Sequence, residues 1–516
     1  MDLIKRFKSK LRREKKSISD HPSEKPKAEL SKNDVILENR TINVGIDLGT
    51  HSTKVIYQII EHAGPDAKNA YVFDFGTDLN EYPPYTYPSL VTINNGQLFF
   101  GDNAYQNMNN AEAKFTSFKM CVACYWGYIP CKSCQRIGSS DFLRGEFSYN
   151  GLNLNAYEVA IFYLAYVLKM IHTDCLKKYQ DNYQLTFYYN VSFPLNYLEI
   201  QKKRRYFEWL ILYAEEIKSE IFQGINLKDA KEILNQSSLK NNEFPREDFG
   251  KTFTVAETRA AMHSIVKTGY YDQGIYAIYD IGAGTSDISF FRNGKNKIGE
   301  EKFSFYVDQS HNIGGDDFDW ILFSSVKNKL NNKNIKEMEL IYAIREAKKK
   351  MIELNEFKLD QYSLGISLDS VVNICIGNLN QLRKYFEETL KKAFKKEEDW
   401  KRWENINLIL IGGGSRFYGV RQPLSALNIQ QLRNWEPVFK ELRMADNIDL
   451  STINEYEFEE NYHYFYTAHG LSYFIEDITE AKFPDEVKFF RPTKTYREFV
   501  DAEDQYSGMP DRRIEK

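Results

Sequence analysis

Long hydrophobic runs are missing from this sequence. A membrane-spanning helix needs roughly 18 or more consecutive apolar residues, and the longest apolar stretch, 161–171, is shorter and contains Lys169. The first residues also lack the apolar core and small-residue cleavage site of a secretory signal. We therefore expect a cytoplasmic protein in which 161–171 belongs to a buried helix.

An excess of charge of one sign is missing as well. The 516 residues include 68 Lys and Arg against 72 Asp and Glu, a formal net charge of −4, so the composition gives no reason to expect specific binding to nucleic acid. No repeat of fixed period stands out. A chain of this length with 42% hydrophobic residues can form two or more packed lobes.

Cysteine is scarce, with six residues in the chain, and disulfides are rare in the cytoplasm. Four of the six form two Cys-x-x-Cys pairs: Cys121, Cys124, Cys131 and Cys134. Four thiolates at this spacing suit a structural Zn²⁺ site that leaves no open coordination position. An iron–sulfur cluster would use the same ligands, and a metal-free loop is the other alternative; zinc is the favoured interpretation.

The two ends of the chain differ from its middle. Residues 1–40 are charged and contain two prolines, residues 476–516 are charged and contain three, and both segments are predicted to be tails. A short basic helix over 1–14 would place four apolar side chains on one face: Leu3, Ile4, Phe7 and Leu11. This pattern fits peripheral docking on an anionic membrane or in the groove of a partner protein, and a solvated tail is the alternative.

The middle of the chain alternates between strand-like and helix-like patterns, which predicts α/β architecture. A strand–turn–strand unit is predicted over 41–60. Further strands are predicted over 184–193, 274–281, 286–293 and 406–412. Helices are predicted over 153–178, 197–222, 255–268, 316–331, 335–354 and 376–397.

The first of three glycine turns follows an apolar strand that ends at Asp47. Gly49 lets backbone N–H groups approach a phosphate closely, and the hydroxyl of Thr50 can join them. The carboxylate of Asp47 suits a hydrated Mg²⁺ ion. Taken alone, a strand followed by Asp-x-Gly-Thr is most often an ordinary hairpin.

The second turn repeats this design. An apolar strand ends at Asp280, a loop with Gly282, Gly284 and Thr285 follows, and a further strand begins after the loop. Two copies of the same arrangement predict two lobes that hold one polyphosphate from opposite sides.

The third turn is the glycine run 412–414 at the end of an apolar strand, followed by Ser415 and Arg416. A flat ring can lie against backbone that carries no side chains, and the guanidinium of Arg416 can stack on such a ring. Other nucleotide motifs do not fit, because the chain has no Gly-x-x-x-x-Gly-Lys-Ser/Thr sequence and the second turn lacks the third glycine of the dinucleotide fingerprint.

In this order the three turns resemble phosphate loop one, phosphate loop two and the adenosine motif of the actin-type ATPases. Within that superfamily the chain is most similar to the nucleotide-binding domain of the DnaK-like heat-shock chaperones. Further segments resemble that family in the same order: 87–91, 101–104, 115–119, 191–194, 256–261, 313–319 and 468–471. The resemblance covers residues 42–475.

The resemblance implies a two-lobed actin-like fold, with duplicated ribonuclease-H-like lobes around a nucleotide cleft. Lobe I is expected over 41–273, with the four-cysteine insert at 119–136. Lobe II is expected over 274–475, a range that ends with the closing helix of lobe I. The family does not have the four-cysteine insert.

The resemblance also implies ATP as the ligand and ATP hydrolysis as the reaction. Asp47 and Asp280 would hold Mg²⁺ through water, and Lys119 and Glu257 would position the attacking water and the γ-phosphate. Asp287 would organise the second loop and the cation. The remaining implied nucleotide contacts are Gly49, Thr50, His51, Gly282, Gly284, Thr285, Gly314, Gly315, Lys348, Lys349, Gly412, Gly413, Gly414, Ser415 and Arg416.

The sequence departs from the family pattern at several points. Ala283 replaces the middle glycine of loop two, and Arg345 stands where the family has Glu. The first change should leave phosphate binding intact, whereas the second concerns adenine or ribose recognition. The chain also has no room for the family's C-terminal peptide-binding domain, so its usual manner of binding substrate proteins is not expected.

These features together predict an ATP-driven conformational switch with slow intrinsic hydrolysis and a protein partner that reads its state. An actin-like filament or a membrane-tethered cytoskeletal ATPase is the second hypothesis. A small-molecule kinase of the same fold ranks last, because no further acidic residue suggests a base for a substrate hydroxyl.

Overall fold

The computed structural model describes residues 38–473, except for 61–68, 78, 80–81, 117, 126–145, 182, 195–200, 238–251, 269–271, 296–300, 331–336, 395–404, 426–436 and 441–442. The predicted basic helix over 1–14 and the predicted tail over 476–516 lie outside the described residues. Cys131 and Cys134 of the predicted zinc site also lie outside them.

The strands, numbered in chain order, are β1 (Glu38–Leu48), β2 (Ser52–Ile60), β3 (Ala70–Val72), β4 (Tyr87–Pro88), β5 (Leu90–Asn94), β6 (Gln97–Phe100), β7 (Ala113–Thr116), β8 (Glu146–Tyr149), β9 (Leu152–Asn155), β10 (Tyr183–Phe193), β11 (Ile225–Asn226), β12 (Thr252–Ala256), β13 (Gly274–Ile281), β14 (Ser286–Lys295), β15 (Glu301–His311), β16 (Glu356–Leu359), β17 (Leu364–Ser367), β18 (Ile406–Ile411), β19 (Pro437–Phe439) and β20 (Ile448–Asp449).

The α-helices are α1 (Gly101–Asn107), α2 (Phe118–Tyr125), α3 (Ala156–Tyr179), α4 (Gln201–Ile217), α5 (Leu227–Gln236), α6 (Glu257–Lys267), α7 (Gly315–Lys329), α8 (Glu337–Leu354), α9 (Leu368–Phe394), α10 (Arg421–Ser425), α11 (Glu455–Asn461) and α12 (Tyr466–Leu471).

Two large sheets share one pattern of strand directions. In the first sheet, β12, β10 and β1 are parallel neighbours, and β2 and β3 continue the sheet antiparallel. In the second sheet, β19, β18 and β13 are parallel neighbours, and β14 and β15 continue antiparallel. The remaining strands form a four-stranded sheet in the order β11–β6–β5–β7 and the hairpins β8–β9 and β16–β17, while β4 and β20 extend the first sheet.

Side chains on β1 alternate between two surroundings, as a period of two requires. Ile42 and Val44 are fully buried in the core that contains α3. The intervening residues face the other way: Asn43 Nδ2 donates to the backbone oxygen of Ser472 at 2.6 Å, and a Cβ at Gly45 would overlap backbone at the end of α12. Asp47 continues this second series.

The strand β13 shows the same alternation. Ala277 and Tyr279 are buried in the core with α7 and α9, whereas Tyr276 and Ile278 are buried in the core that contains α6 and α12. Asp280 continues the second series. The two sheets therefore present their strand-end carboxylates toward the same helical layer.

The helices form layers around the two sheets. α3 and α4 pack on the outer face of the first sheet, and α7 and α9 pack on the outer face of the second. α6 and α12 lie between the sheets, in a core that also includes residues of β2, β3, β13 and β18. This central layer connects the two halves of the molecule.

The helix predicted around 161–171 is α3. It begins with a capping box in which Asn155 and Glu158 exchange side-chain and backbone hydrogen bonds. Among the described residues it is the one helix with the length and composition to cross a membrane, at mean hydropathy 1.4, but 61% of that window is buried inside the fold. α3 is therefore a core helix of the first sheet.

The crossing of α6 and α12 is close and polar. Gly470 lies against the backbone of Ala260, where a Cβ would overlap the carbonyl oxygen. Beside this contact, His469 Nδ1 lies 2.7 Å from Ser264 Oγ, and His469 Nε2 lies 3.1 Å from Asn447 Oδ1. A buried network of this kind fixes how the two helices meet.

The end of α12 is capped from the first sheet. Asn190 Nδ2 donates to the carbonyl oxygen of Leu471 at 2.6 Å, and Gln58 Nε2 donates to Ser472 Oγ at 2.9 Å. The last carbonyl groups of a helix need such partners when they are buried. Strands β2 and β10 thus hold the C-terminal end of α12 in place.

The predicted helices and strands are confirmed within the described residues, with differences at the ends of two helices: α4 ends at Ile217 rather than at 222, and α9 starts earlier than predicted. α9 begins at Leu368 rather than at 376, because buried side chains at Val371 and Cys375 extend its apolar face toward the N-terminus. The segment 101–104, one of those that resemble the chaperone family, forms the first turn of α1, which starts at Gly101 with φ +55°.

We expect Gly470→Ala to lower the free energy of unfolding by about 2–3 kcal/mol, because the added methyl group forces α6 and α12 apart. Gly377→Ala is the matched control, since a Cβ at this position in α9 meets nothing within 4 Å. The control should be neutral or more stable by about 1 kcal/mol. Urea denaturation compares the two, and wild-type stability of Gly470→Ala would contradict the close crossing.

Candidate functional site

A cavity of about 210 Å³ lies between the two sheets, beside the central helices. It is lined by the turns after β1, β13 and β18 and by residues of α2, α6 and α8. Of the residues predicted from the sequence, those that line it are Asp47, Gly49, Thr50, His51, Lys119, Glu257, Asp280, Gly282, Thr285, Gly315, Lys348, Lys349, Gly412, Gly413 and Gly414.

Asp47 is oriented at the end of β1 by two side chains. Ser192 Oγ donates to its Oδ1 at 2.8 Å, and Lys54 Nζ, directly opposite on β2, lies 3.2 Å from its Oδ2. In the turn between the strands, Gly49 N donates to the Asp47 carbonyl at 3.0 Å, and a Cβ at Gly49 would overlap the Ser52 carbonyl. This turn requires glycine, as the sequence predicts.

Asp280 occupies the corresponding position at the end of β13. Gly412, at φ +80°, packs so closely that a Cβ there would overlap Asp280 Oδ1. Burial raises the pKa of Asp280 well above its usual value, and three nearby carboxylates add to the effect: Glu257, Asp287 and Asp47. A cation among these groups would relieve their repulsion, so the donor set fits the predicted Mg²⁺.

The loop after β13 is fixed by backbone contacts with the start of α7. Gly315 N donates to the Gly282 carbonyl at 2.8 Å, and Asp316 N donates to the Ala283 carbonyl at 2.8 Å. A Cβ at Gly314 would overlap the Ala283 carbonyl. Two backbone segments therefore pack directly against each other behind the cavity.

Besides Ser415 and Arg416, three predicted site residues are not among those that line the cavity. Gly284 packs against Met120, whose sulfur a Cβ would overlap, and Gly314 packs against the loop as described. Asp287 lies opposite Asp280 in the β13–β14 pairing and is 1% exposed. Their positions suit packing and support of the loop rather than direct contact with a ligand.

Lys119 and Glu257 form an ion pair at the cavity. They come from the starts of α2 and α6, respectively. Lys119 is 3% exposed and Glu257 is 13% exposed, and Lys119 Nζ lies 5.8 Å from the ring centre of Phe193. Attraction between opposite charges is stronger at such a buried position than in water, so each side chain holds the other in place.

The predicted basic positions on α8 are engaged within one half of the fold. Arg345 Nε donates to Asp319 Oδ2 at 2.9 Å, and its Nη2 donates to Asp316 Oδ1 at 3.1 Å. Lys348 pairs with Asp319 and also donates to the Gly315 carbonyl at 3.3 Å. Arg345, which replaces the family's Glu, thus anchors α8 to α7.

His51 follows Thr50 in the first turn and lines the cavity. Its ring stacks on Tyr82, with centroids 4.9 Å apart and planes 17° apart. Burial lowers its pKa well below the usual value, and the positive charges of Arg345 and Lys349 lower it further. The imidazole is therefore neutral near pH 7 and can exchange hydrogen bonds without repelling nearby cations.

Ser415 and Arg416 line a neighbouring, larger cavity of about 1110 Å³. Arg416 Nη1 donates to the hydroxyl of Tyr464 at 3.4 Å, and Gly413 lies against the same ring. His463 lines both cavities. The third glycine turn therefore runs along the boundary between them.

Sequence reasoning missed several lining residues, including Lys54, His463 and Tyr464. The signal for Lys54 was available, because an antiparallel hairpin around Gly49 places it opposite Asp47. The sequence gives no comparable signal for His463 and Tyr464, whose position depends on a 3₁₀ turn between α11 and α12.

The described residues include no group of three or more His, Cys, Asp and Glu side chains that could hold a metal ion. A Mg²⁺ contact through water does not need such a group, and it stays a prediction. Cys121 is buried in the first core on α2, a helix that also includes Cys124. These residues give the zinc prediction no support.

No family model matches the chain. Over 169 residues, or 32% of its length, it is 25% identical to the chaperone protein HscA homolog of Acinetobacter baylyi. It is 27% identical over 165 residues to the HscA homolog of Methylococcus capsulatus, and 29% identical over 150 residues to the chaperone HscA of Buchnera aphidicola subsp. Schizaphis graminum. The chain covers 25%, 25% and 23% of these three proteins, respectively.

These matches span about a quarter of the curated relatives. They agree with the resemblance to the DnaK-like chaperones within the actin-type ATPases, at the coarse level of an ATP-binding, chaperone-related protein. The mixed α/β architecture is compatible with such an ATPase.

We expect Arg345→Met to lower the free energy of unfolding by roughly 3 kcal/mol, because it leaves Asp316 and Asp319 buried with less compensating charge. Lys349→Met is the matched control on the same helix, where the Lys349–Glu346 pair is 43% and 30% exposed. Its effect should stay within about 0.5 kcal/mol. Equal losses in denaturation of the two variants would contradict the anchoring role of Arg345.

Proposed function

We propose that this chain is a DnaK-like ATPase that binds ATP, hydrolyses it slowly and changes conformation with its nucleotide state. The observation that carries the proposal is the arrangement of the first cavity. Two strand-end carboxylates, Asp47 and Asp280, lie there with the buried pair Lys119–Glu257. The partial similarity to HscA chaperones supports nucleotide and protein partners in general.

The proposed architecture is two actin-like lobes, over 41–273 and 274–475, around the first cavity. The repeated succession of strand directions supports this division, as does the corresponding position of the two carboxylates. α12 would return to close the first lobe, in agreement with its capping by Asn190 and Gln58.

In this proposal the backbone of the first two glycine turns binds the phosphates. Thr50 and Thr285 line the cavity, and their hydroxyl groups would add hydrogen bonds. Asp47 and Asp280 would hold the water shell of a Mg²⁺ ion. That ion would supply positive charge against the polyphosphate.

The proposed role of the Lys119–Glu257 pair is positioning. Glu257 would accept a hydrogen bond from a water molecule and direct its lone pair toward the γ-phosphorus, and Lys119 would hold a γ-phosphate oxygen. Both side chains are largely buried and already fixed by their mutual contact. Little reorganisation is then needed during the reaction, which is the main source of catalysis in phosphoryl transfer.

The proposed conformational change is a change in the separation of the two sheets, each of which contributes one wall of the cavity. One wall belongs to the first sheet and the other to the second, so a ligand that contacts both favours their approach. A protein partner would read the separation of the two lobes. Hydrolysis without that partner is expected to be slow.

We expect Asp280→Ala to weaken binding of Mg²⁺–ATP by about tenfold or more, because one of two carboxylates for the hydrated cation is lost. Isothermal titration calorimetry at pH 7.5 makes the comparison. Asp360→Ala is the matched control, since the Asp360 carboxylate is 78% exposed. It should bind like wild type.

A denaturation curve on the same samples separates binding from folding. Asp280 is buried among other carboxylates, so its removal should not destabilise the ligand-free protein. Equal affinities in wild type and Asp280→Ala would contradict the proposed site, and absence of ATP binding by wild type would contradict the proposed function.

A further inference from the structure

We infer that Tyr464 is a specificity-determining residue, whose ring fills the place on the third glycine turn where the sequence predicts a stacked base. The site then selects a nucleotide by its polyphosphate and Mg²⁺ and discriminates little between bases. This inference rests on the proposed function. It widens the class of ligand from ATP to nucleoside triphosphates in general.

Tyr464 contacts both parts of the predicted base site. A Cβ at Gly413, the exposed glycine of the run, would lie 3.7 Å from Cε1 of Tyr464. Arg416 Nη1 donates to the Tyr464 hydroxyl at 3.4 Å, and the guanidinium carbon lies 6.0 Å from the centre of the ring. The guanidinium that was predicted to stack on a base is therefore directed at a ring of the protein itself.

The ring of Tyr464 is held in this place from two segments of the chain. It belongs to the 3₁₀ turn Tyr462–Tyr464, where His463 packs on it with ring centroids 3.9 Å apart. Arg416 contacts it from the third glycine turn. Tyr464 is half-buried and lines the first cavity, so its ring forms part of the cavity wall.

The other two glycines of the run face the phosphate end of the cavity. A Cβ at Gly412 would overlap Asp280 Oδ1, and a Cβ at Gly414 would overlap the side chain of Ile281. Both glycines therefore allow the third turn to pack closely on the end of β13. The turn supports the Asp280 carboxylate, and its outward-facing glycine is the one that Tyr464 covers.

The first cavity is also small for a complete nucleotide. Cavities that enclose a small-molecule ligand usually measure about 300–1,000 Å³, whereas this one measures about 210 Å³. Ser415 and Arg416 line the neighbouring cavity of about 1110 Å³. The first cavity therefore suits the polyphosphate and its cation, and the nucleoside half would extend into the larger one.

The larger cavity offers a base polar groups that can adapt to it. Arg421, Gln422 and Glu460 line this cavity, and all three are exposed. Strong rejection of a wrong base requires buried polar groups that the wrong base leaves unpaired. Exposed side chains return to water instead, so the identity of the base has little effect on affinity.

Isothermal titration calorimetry with Mg²⁺ tests the inference with ATP, GTP, CTP and inorganic tripolyphosphate. In wild type we expect the three nucleotides to bind within about fivefold of one another. Tripolyphosphate should bind within about tenfold of ATP, because charge-assisted contacts to phosphate and cation supply most of the affinity.

Tyr464→Ala uncovers Gly413 and Arg416 for a base. It should bind ATP roughly fivefold or more tightly than wild type and prefer ATP over CTP by a similar factor, because the larger purine stacks more strongly. Its affinity for tripolyphosphate should not change, which also shows that the variant is folded. Tyr464→Phe keeps the ring and should keep the wild-type ratios. Tyr456→Ala, on a side chain that is 70% exposed, is the neutral control.

The failures of the inference and of the proposed function are distinguishable. A wild-type preference for ATP over GTP or CTP of more than about tenfold overturns the inference and leaves the proposed function in place. The same conclusion follows if wild type binds ATP but not tripolyphosphate, or if Tyr464→Ala keeps the wild-type ratios. If wild type binds neither ATP nor tripolyphosphate, both proposals are wrong.

Discussion

Two buried strands end in a carboxylate that faces the same layer of helices, and the rest of the site depends on this arrangement. On β1 and β13, one series of side chains fills an outer core and the other series faces α6 and α12. Asp47 and Asp280 belong to the second series. A shift of either strand by one residue would turn its carboxylate into an apolar core, so the packing of the cores and the geometry of the site are set by the same register.

The sequence predicts the two strand-end carboxylates and their glycine turns well, because the residues that form them are neighbours in the chain. Each apolar strand, its terminal Asp and the glycine after it are contiguous, and their steric requirements are visible in the residues themselves. Gly49 and Gly412 are needed where backbone or a carboxylate comes too close for a Cβ. That Lys119 and Glu257, far apart in sequence, belong to one site was predicted only through the resemblance to a known family, and their ion pair was not predicted.

The features of the site that the sequence did not predict depend on contacts between segments that are distant in the chain. Arg345 was noted as a departure that concerns adenine or ribose recognition, and the structure adds that its guanidinium is held by Asp316 and Asp319 of a neighbouring helix. His463 lines both cavities from a short 3₁₀ turn that has no periodic sequence pattern. Both positions follow from packing, which periodicity and motif spacing do not specify.

The central claim is that one nucleotide contacts both sheets at once. Hydrogen exchange of the full chain, with and without Mg²⁺–ATP, tests it most directly. The account predicts that exchange slows together in the turn after β1, the turn after β13 and the glycine run after β18. Protection confined to the turns of one sheet, or no protection at a nucleotide concentration that saturates binding, would contradict it.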